Sequence, residues 1–243
     1  MLTRGNAAKL YCLNRIDELA AAGDELTILD LGCGDAANFP ALLRKHGQIR
    51  YVGVEPSAEA CERARRTLQG LRAEIVHARA YDFEGPSAEV VVSFSVLEHV
   101  YRRGRYLSCA SRNLAPGGLV LINYDAGHFV GAPGAPSPRI ARWKSHAGRA
   151  LARAGYEAKY QAMVREQEFR SLVARAGLEI REERVFNTEL KSVYNLLPEE
   201  RREPFMARWL EVELYLNELG IEYRDELAAI FRTRNFVLGH ARD

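Results

Sequence analysis

The sequence has few cysteines and no long apolar run. Its four cysteines stand far apart in 243 residues, without a C-x-x-C pair, which matches neither a disulfide framework nor a zinc site. No stretch approaches the ~20 apolar residues that a membrane-spanning helix needs, and the first residues lack the apolar core of a secretory signal. We therefore expect a cytoplasmic protein without a bound metal or a membrane partner.

An excess of one charge sign is also missing. The formal net charge is +2, with 47% hydrophobic and 27% charged residues, as in ordinary globular proteins. These values exclude a disordered or fibrous chain, and the nearly balanced charge gives no basis for nucleic-acid binding. We expect a small-molecule partner, with the chain itself a monomer or a homodimer.

Short apolar runs alternate with amphipathic segments through the first half of the chain. The amphipathic segments have helical spacing, and five apolar runs have the length of buried strands, at 26–32, 49–56, 73–80, 88–96 and 119–125. This alternation predicts an α/β fold with a parallel sheet and helices on both faces. Ligands of such folds bind at the carboxyl ends of the strands.

The second half is organised differently. Glycine and proline are concentrated at 127–139, which predicts an exposed loop or lid. The later patterns predict a helix–strand pair, an amphipathic helix and a last strand, at 166–187, 204–220 and 229–241. We interpret the chain as one domain over 1–243, with a core at 24–125, a lid at 126–165 and a helical insertion at about 188–225.

A glycine-rich turn follows the first apolar run. Gly32, Gly34 and Ala37 form a G-x-G-x-x-A pattern, and Glu55 ends the second run. Glycines let the backbone turn sharply and approach a ligand, and an acid about 20 residues later accepts hydrogen bonds from ribose hydroxyls. The pattern fits NAD and S-adenosylmethionine alike, because both carry the ribose.

Asp30, two residues before the first glycine, discriminates between these ligands. A carboxylate at a strand tip repels the pyrophosphate of NAD, but it attracts the ammonium and sulfonium groups of S-adenosylmethionine. Two structural alternatives are that Asp30 caps the following helix and that Glu55 is a solvated strand end. The pair of acids at neighbouring strand ends favours the methyl donor.

Four segments of the chain have the order and spacing of a known family: LDLGCGDAANFP, YVGVEPSAEACERAR, VVVSFSVLEHV and LAPGGLVLINY. With them, the chain resembles the class I S-adenosylmethionine-dependent methyltransferases, and most of all their small-molecule branch. The resemblance implies a doubly wound, Rossmann-like α/β sheet of seven strands, mostly parallel with the last antiparallel, plus a helical lid or insertion. It also implies methyl transfer from S-adenosylmethionine to an oxygen or nitrogen atom of a small-molecule acceptor, with S-adenosylhomocysteine as product.

The resemblance places a cofactor site at the carboxyl ends of the strands. The glycine turn is expected beside the methionine part, Asp30 near its ammonium group and Glu55 at the ribose. The full set of expected cofactor contacts is Asp30, Gly32, Cys33, Gly34, Asn38, Glu55, Pro56, Ala80, Tyr81, Asp82, Ser95 and Val96.

Adenine recognition departs from the family pattern. Arg79 stands where the family commonly has an acid that accepts a hydrogen bond from the adenine amino group. Either Asp82, three residues later, or the backbone amide of Tyr81 is expected to take this role.

His99 is the candidate catalytic base, since the resemblance places it near the transferred methyl group and its pKa suits neutral pH. The alternative is that it caps the following helix or touches the cofactor indirectly. A base is needed only where the acceptor must lose a proton, because the cofactor carries the driving force. The candidates for acceptor binding are Glu98, Tyr124, Asp125, His128 and Trp143.

Two other functions compete with methyl transfer. An NAD(P)-dependent oxidoreductase fits the glycine pattern and Glu55, but Asp30 and the two later family segments oppose it. A non-catalytic cofactor-binding or scaffold protein has the same fold, and Arg79 keeps this alternative open, because fold alone does not fix function.

Overall fold

The structure is a computed structural model, and it describes residues 6–125, 138–153, 160–187, 190–219 and 231–241. Within these residues, seven strands form one sheet. The strands are β1 (Leu26–Leu31), β2 (Ile49–Glu55), β3 (Ala73–His77), β4 (Ala88–Phe94), β5 (Leu114–Asp125), β6 (Leu178–Phe186) and β7 (Thr233–His240). Their order across the sheet is β3-β2-β1-β4-β5-β7-β6.

The strand directions confirm the predicted fold. β1 to β5 run parallel to one another, and β7 runs antiparallel to both β5 and β6. The chain moves outward from β1 through β2 to β3 and then returns to the other side of β1 as β4. Such a reversal leaves a crevice at the carboxyl ends of the two central strands, where α/β proteins bind their ligands.

Helices cover both faces of this sheet. They are α1 (Ala7–Ala21), α2 (Pro40–Lys45), α3 (Ala58–Thr67), α4 (Arg103–Arg112), α5 (Pro138–Arg153), α6 (Glu166–Arg175), α7 (Leu190–Leu196) and α8 (Glu199–Glu218). Two short 3₁₀ turns, Ala80–Asp82 and Leu97–His99, follow β3 and β4. None of the described helices is long and apolar enough to cross a membrane.

Each central strand contributes to two hydrophobic cores, because successive side chains point to opposite faces. Leu29 and Leu31 face the core that includes residues of α4 and α6. Ile28 and Val92 face the core under α1, α2 and α3. Burial on both faces explains why these strands are continuous apolar runs in the sequence.

Several element boundaries differ from the predictions. β5 begins at Leu114, five residues before the apolar run predicted for it, and includes two glycines. A Cβ atom at Gly118 would lie 2.8 Å from the Glu89 carbonyl oxygen, so the missing side chain lets β5 stay paired with β4. α5 lies where only a lid was expected, and it begins at Pro138, a residue well suited to a first helical position. α8 starts at Glu199, five residues before Pro204.

α8 is attached to the edge strand β6 by polar side chains. The Asn217 side chain accepts from the Val185 N–H at 2.9 Å and donates to the Val185 carbonyl at 2.8 Å, as a neighbouring strand would. Glu213 is buried and accepts from the Trp209 indole at 2.7 Å and from the Asn187 N–H at 3.1 Å. Because Phe186 pairs with Thr233, which in turn pairs with Asp125, this attachment lies at the carboxyl edge of the sheet.

Candidate active site

The glycine turn after β1 has a backbone that requires glycine. Gly32 has a φ of +86° and donates its N–H to the Val54 carbonyl at 2.7 Å. A Cβ atom at Gly32 would lie 2.7 Å from both Val96 methyl groups, so the turn after β4 packs directly on the turn after β1. Gly34 has a φ of +57°, and a Cβ atom there would meet nothing within 4 Å. The outer side of the turn is therefore open to a ligand.

Glu55 is oriented towards this turn. Its carboxylate accepts from the Gly34 N–H at 3.1 Å and from the Ser57 N–H at 3.0 Å. The two bonds fix an acid at the carboxyl end of β2, beside the open side of Gly34. Each carboxylate oxygen keeps further acceptor capacity, which suits a ligand with neighbouring hydroxyls.

Asp30 is buried at the carboxyl end of β1, with 3% of its surface exposed. The hydroxyl of Tyr51, a residue that no sequence motif indicated, donates to its carboxylate at 2.7 Å. Burial raises the pKa of the Asp30 carboxyl to about 7, although the hydrogen bond from Tyr51 and the charge of Lys9 act in the opposite direction. A cationic ligand group would favour the ionised form.

The turn after β4 forms the third side of the candidate site, beside the glycine turn and the end of β2. Ser95 has a φ of +58°, and its N–H is bonded to the Asn123 carbonyl at 2.9 Å. In the 3₁₀ turn that follows, Glu98 is fully buried, whereas His99 is exposed. The acid of this turn therefore faces the interior, and the role of His99 as a base stays a prediction.

A family model described as a methyltransferase domain matches residues 4–183, well over half of the chain. The chain belongs to the class I S-adenosylmethionine-dependent methyltransferase family. The glycine turn, Asp30 and Glu55 fit this cofactor, because they offer an open backbone turn and two acids to a ligand with a cationic amino-acid part and a ribose.

Relatives of the methyltransferase resemble it at low identity. The trans-aconitate 2-methyltransferase of Azoarcus sp. (strain BH72) is 31% identical over 106 residues, 42% of each chain. The ubiquinone biosynthesis O-methyltransferase of Rhizobium etli (strain CIAT 652) is 26% identical over 178 residues, 70% of this chain and 67% of the relative. An S-adenosylmethionine-dependent methyltransferase from Mesorhizobium loti has a similar fold, with a TM-score of 0.61, 18% identity and coverage of 97% and 99% of the two chains.

Cys33, between the two glycines, has a packing role in the methyltransferase. A Cβ atom at Gly53 would lie 2.8 Å from its sulfur, so the thiol lies against the bare backbone of β2. Burial raises the pKa of the Cys33 thiol, which opposes formation of a nucleophilic thiolate. Of the other expected contacts near the turn, Asn38 is partly buried and Pro56 is exposed.

Two of the residues expected near adenine, Tyr81 and Asp82, contact α4. Ala80 and Tyr81 are buried, while Asp82 is exposed and pairs with Arg105 at 3.6 Å. The Arg105 guanidinium also lies 5.2 Å from the centre of the Tyr81 ring. A groove of about 680 Å³ is lined by Tyr81 and Asp82 together with residues of α4. No residue of the glycine turn lines this groove, and adenine recognition by Asp82 or Tyr81 stays a prediction.

Arg103 connects the turn after β4 to a distant segment, residues 160–164, which we name the cover segment. Its guanidinium is buried and donates to the carbonyls of Leu97 at 3.1 Å, Ala162 at 2.6 Å and Met163 at 3.2 Å. The Ala162 N–H donates to the Glu98 carbonyl at 2.9 Å. Arg103 is not among the residues expected from the sequence, because an arginine at the start of a helix usually faces solvent.

The expected acceptor residues do not all come together. Tyr124 is buried in the core, with its ring centre 5.4 Å from that of Phe169 and 5.8 Å from that of Phe236. Glu98 faces the interior and Asp125 is partly buried at the end of β5. His128 and the side chain of Trp143 lie outside the described residues. Within the described residues, no group of three or more acidic, histidine or cysteine side chains has the arrangement of a metal site.

Proposed function

We propose that this methyltransferase moves a methyl group from S-adenosylmethionine to an oxygen or nitrogen atom of a small-molecule acceptor. The observation that carries the proposal is the cover segment on the turn after β4. Arg103 and the Glu98 carbonyl hold residues 160–164 against this turn through three hydrogen bonds. A closed edge suits a small acceptor, whereas a nucleic acid or a folded protein needs an open surface.

The names of the relatives support the same class of acceptor. One relative is a methyltransferase of trans-aconitate and another is an O-methyltransferase of ubiquinone biosynthesis. The match covers only 42% of the length of the first, so its acceptor is not transferred to this chain. What the two names share is a small molecule, with oxygen named as the methylated atom in one of them.

The residues of the chain have distinct tasks in this reaction. When bound, S-adenosylmethionine supplies a methyl group that is activated by a sulfonium. Asp30 and Glu55 hold the cofactor at its amino-acid part and at its ribose. Arg103 keeps the cover segment closed, which excludes water from the turn after β4. Orientation and exclusion of water are the main contributions that a protein makes to such a displacement, and they lower a barrier by roughly 7–11 kcal/mol in the best intramolecular cases.

Ligand-induced stabilisation tests the proposal directly. S-adenosylhomocysteine and S-adenosylmethionine at 100 times their dissociation constants are expected to stabilise the folded chain by roughly 2.7 kcal/mol, raising the unfolding midpoint by roughly 5–10 °C. NAD serves as the control ligand. Formation of S-adenosylhomocysteine is then measured with panels of hydroxyl, carboxyl and amine acceptors. A shift with NAD alone would favour the oxidoreductase, and cofactor binding without turnover on any panel would favour the scaffold.

Cofactor affinity is expected to fall as the pH drops below about 7. The ligand ammonium needs an ionised Asp30, and burial, with the charge of Glu55, raises the pKa of this carboxyl to about 7 against the opposite effects of Tyr51 and Lys9. Each pH unit below that value therefore costs up to about tenfold in affinity. In the ligand-free protein, folding stability depends on pH with the opposite sign. The stability that a neutral Asp30 contributes is complete below its unfolded pKa of about 4, and it is lost as the pH rises through 7.

Isothermal titration calorimetry with S-adenosylhomocysteine at pH 6, 7 and 8 measures this effect. Asp30→Asn is the matched variant, since it keeps the size of the side chain and removes the titration. We expect weaker binding by Asp30→Asn, with a nearly flat pH profile. Profiles of equal slope for the two proteins would show that another group controls the titration.

A further inference from the structure

Lys9 of α1 lies at the same edge of the sheet as the candidate active site. The far end of α1 is fixed at the opposite edge, where the Gln48 side chain donates to the Ala20 carbonyl at 2.8 Å, next to the start of β2. From Ala20 back to Lys9, a helix rises about 16 Å. β1 spans about the same length between Leu26 and Leu31. Lys9 is therefore level with Asp30.

Contacts on both sides of Lys9 hold it in this position. Asn6 caps the helix by accepting from the Lys9 N–H at 3.0 Å. Ala8 and Leu10 are buried, packed in a cluster with residues of α7 and α8. One turn later, the Cys12 thiol donates to the Asn235 side chain at 3.1 Å, which joins α1 to β7 near the carboxyl edge of the sheet. The backbone that carries Lys9 is thus fixed by three elements.

The Lys9 side chain is a partly buried cation among acids. Burial lowers the pKa of its ammonium, and the charges of Asp30, Glu98 and Asp35 act against this. Lys191 of α7 is the other cation that acts on it. No carboxylate of the described residues forms an ion pair with the Lys9 ammonium. Such a cation gains most from a ligand that brings its own negative charge.

We propose that Lys9 binds the α-carboxylate of the methionine part of S-adenosylmethionine. This inference rests on the proposed function and extends its cofactor site to α1. The amino-acid part of the cofactor carries an ammonium and a carboxylate on one carbon. Asp30 accepts from the ammonium, and Lys9, level with Asp30, donates to the carboxylate. The ligand thereby lies between two opposite charges of the protein and pairs with each of them.

Two ligands that differ in the amino-acid part test the role of Lys9. S-adenosylhomocysteine carries the α-carboxylate, whereas 5′-methylthioadenosine keeps the adenosine and lacks the whole amino-acid part. Binding of both is measured by calorimetry for the wild-type chain and for Lys9→Met, which keeps the length of the side chain. Lys45→Met is the matched control, because Lys45 is an exposed lysine that pairs with Asp17 on the far end of α1 at 2.7 Å.

We expect Lys9→Met to weaken S-adenosylhomocysteine on the order of ten- to a hundredfold, as for a lost charged hydrogen bond. 5′-Methylthioadenosine is expected to bind as it does to the wild type, and Lys9→Arg is expected to restore most of the affinity. Unchanged binding of S-adenosylhomocysteine by Lys9→Met would overturn the inference. This holds even if the substitution raised the Michaelis constant of an acceptor that carries a carboxylate. An equal loss for both ligands would show a purely structural role. Failure of the wild type to bind either ligand would instead contradict the proposed function.

Discussion

Replacing Glu55 with alanine is expected to weaken binding of S-adenosylhomocysteine about a hundredfold or more. Hydrogen bonds to a charged group contribute roughly 1.5–3 kcal/mol each, and in the proposed site Glu55 accepts from both ribose hydroxyls. The substitution also removes the acceptor of the Gly34 and Ser57 N–H groups, at 3.1 and 3.0 Å. The glycine turn keeps its bonds to the Val54 carbonyl but loses the one that fixes Gly34. The lost contacts to the ribose and the weaker support of the turn both reduce the affinity.

Calorimetric titration of the Glu55→Ala variant measures the loss, and two further variants make the result specific. Glu55→Gln keeps one acceptor oxygen and removes the charge, so its affinity is expected to lie between those of the alanine variant and the wild type. Glu59→Ala is the control, because Glu59 is an exposed acid of α3 that pairs with Arg63 at 2.6 Å. A change of less than about threefold in Glu55→Ala would remove Glu55 from the ribose site.

The sheet and the glycine turn could be predicted because the information is local. The central strands β1, β2 and β4 are apolar runs that are buried on both faces, and each is followed or ended by a residue of unusual backbone or charge. Gly32 shows this well: its positive φ and its close contact with Val96 explain why no other residue suits the position. The same contact shows the limit of local information, since the sequence does not state that Val96 packs on Gly32.

The residues that the sequence did not reveal act through distant contacts. Tyr51 binds Asp30 across two neighbouring strands. The position of Lys9 depends on how α1 lies on the sheet. Long-range contacts determine this placement, such as the hydrogen bond between Cys12 and Asn235, which are 223 residues apart. On a helical wheel, Lys9 looks like an ordinary polar residue of an amphipathic helix. Its charged neighbours appear only once the strands have been placed.

Arg103 is the other long-range case, and its substitution has the largest expected effect on stability. Arg103→Met removes the guanidinium that donates to the carbonyls of Leu97, Ala162 and Met163, the last of them 60 residues along the chain. Leu97 keeps the Val100 N–H as a donor. Leaving a buried acceptor without its donor costs roughly 1–3 kcal/mol, and each kcal/mol lowers the unfolding midpoint of a chain of this size by roughly 2–4 °C. Turnover is expected to fall by about tenfold or more, because a released cover segment admits water to the turn after β4.

Differential scanning calorimetry and turnover at saturating cofactor separate these two effects of Arg103. Arg112→Met is the matched control, since Arg112 is an exposed arginine at the other end of α4. Arg103→Lys keeps the charge but cannot reach three carbonyls with one ammonium in the geometry of the guanidinium, so we expect an intermediate midpoint. If Arg103→Met unfolded at the temperature of the wild type, the three hydrogen bonds would not hold the cover segment. If stability fell while turnover of the folded variant stayed unchanged, closure of this edge would not contribute to methyl transfer.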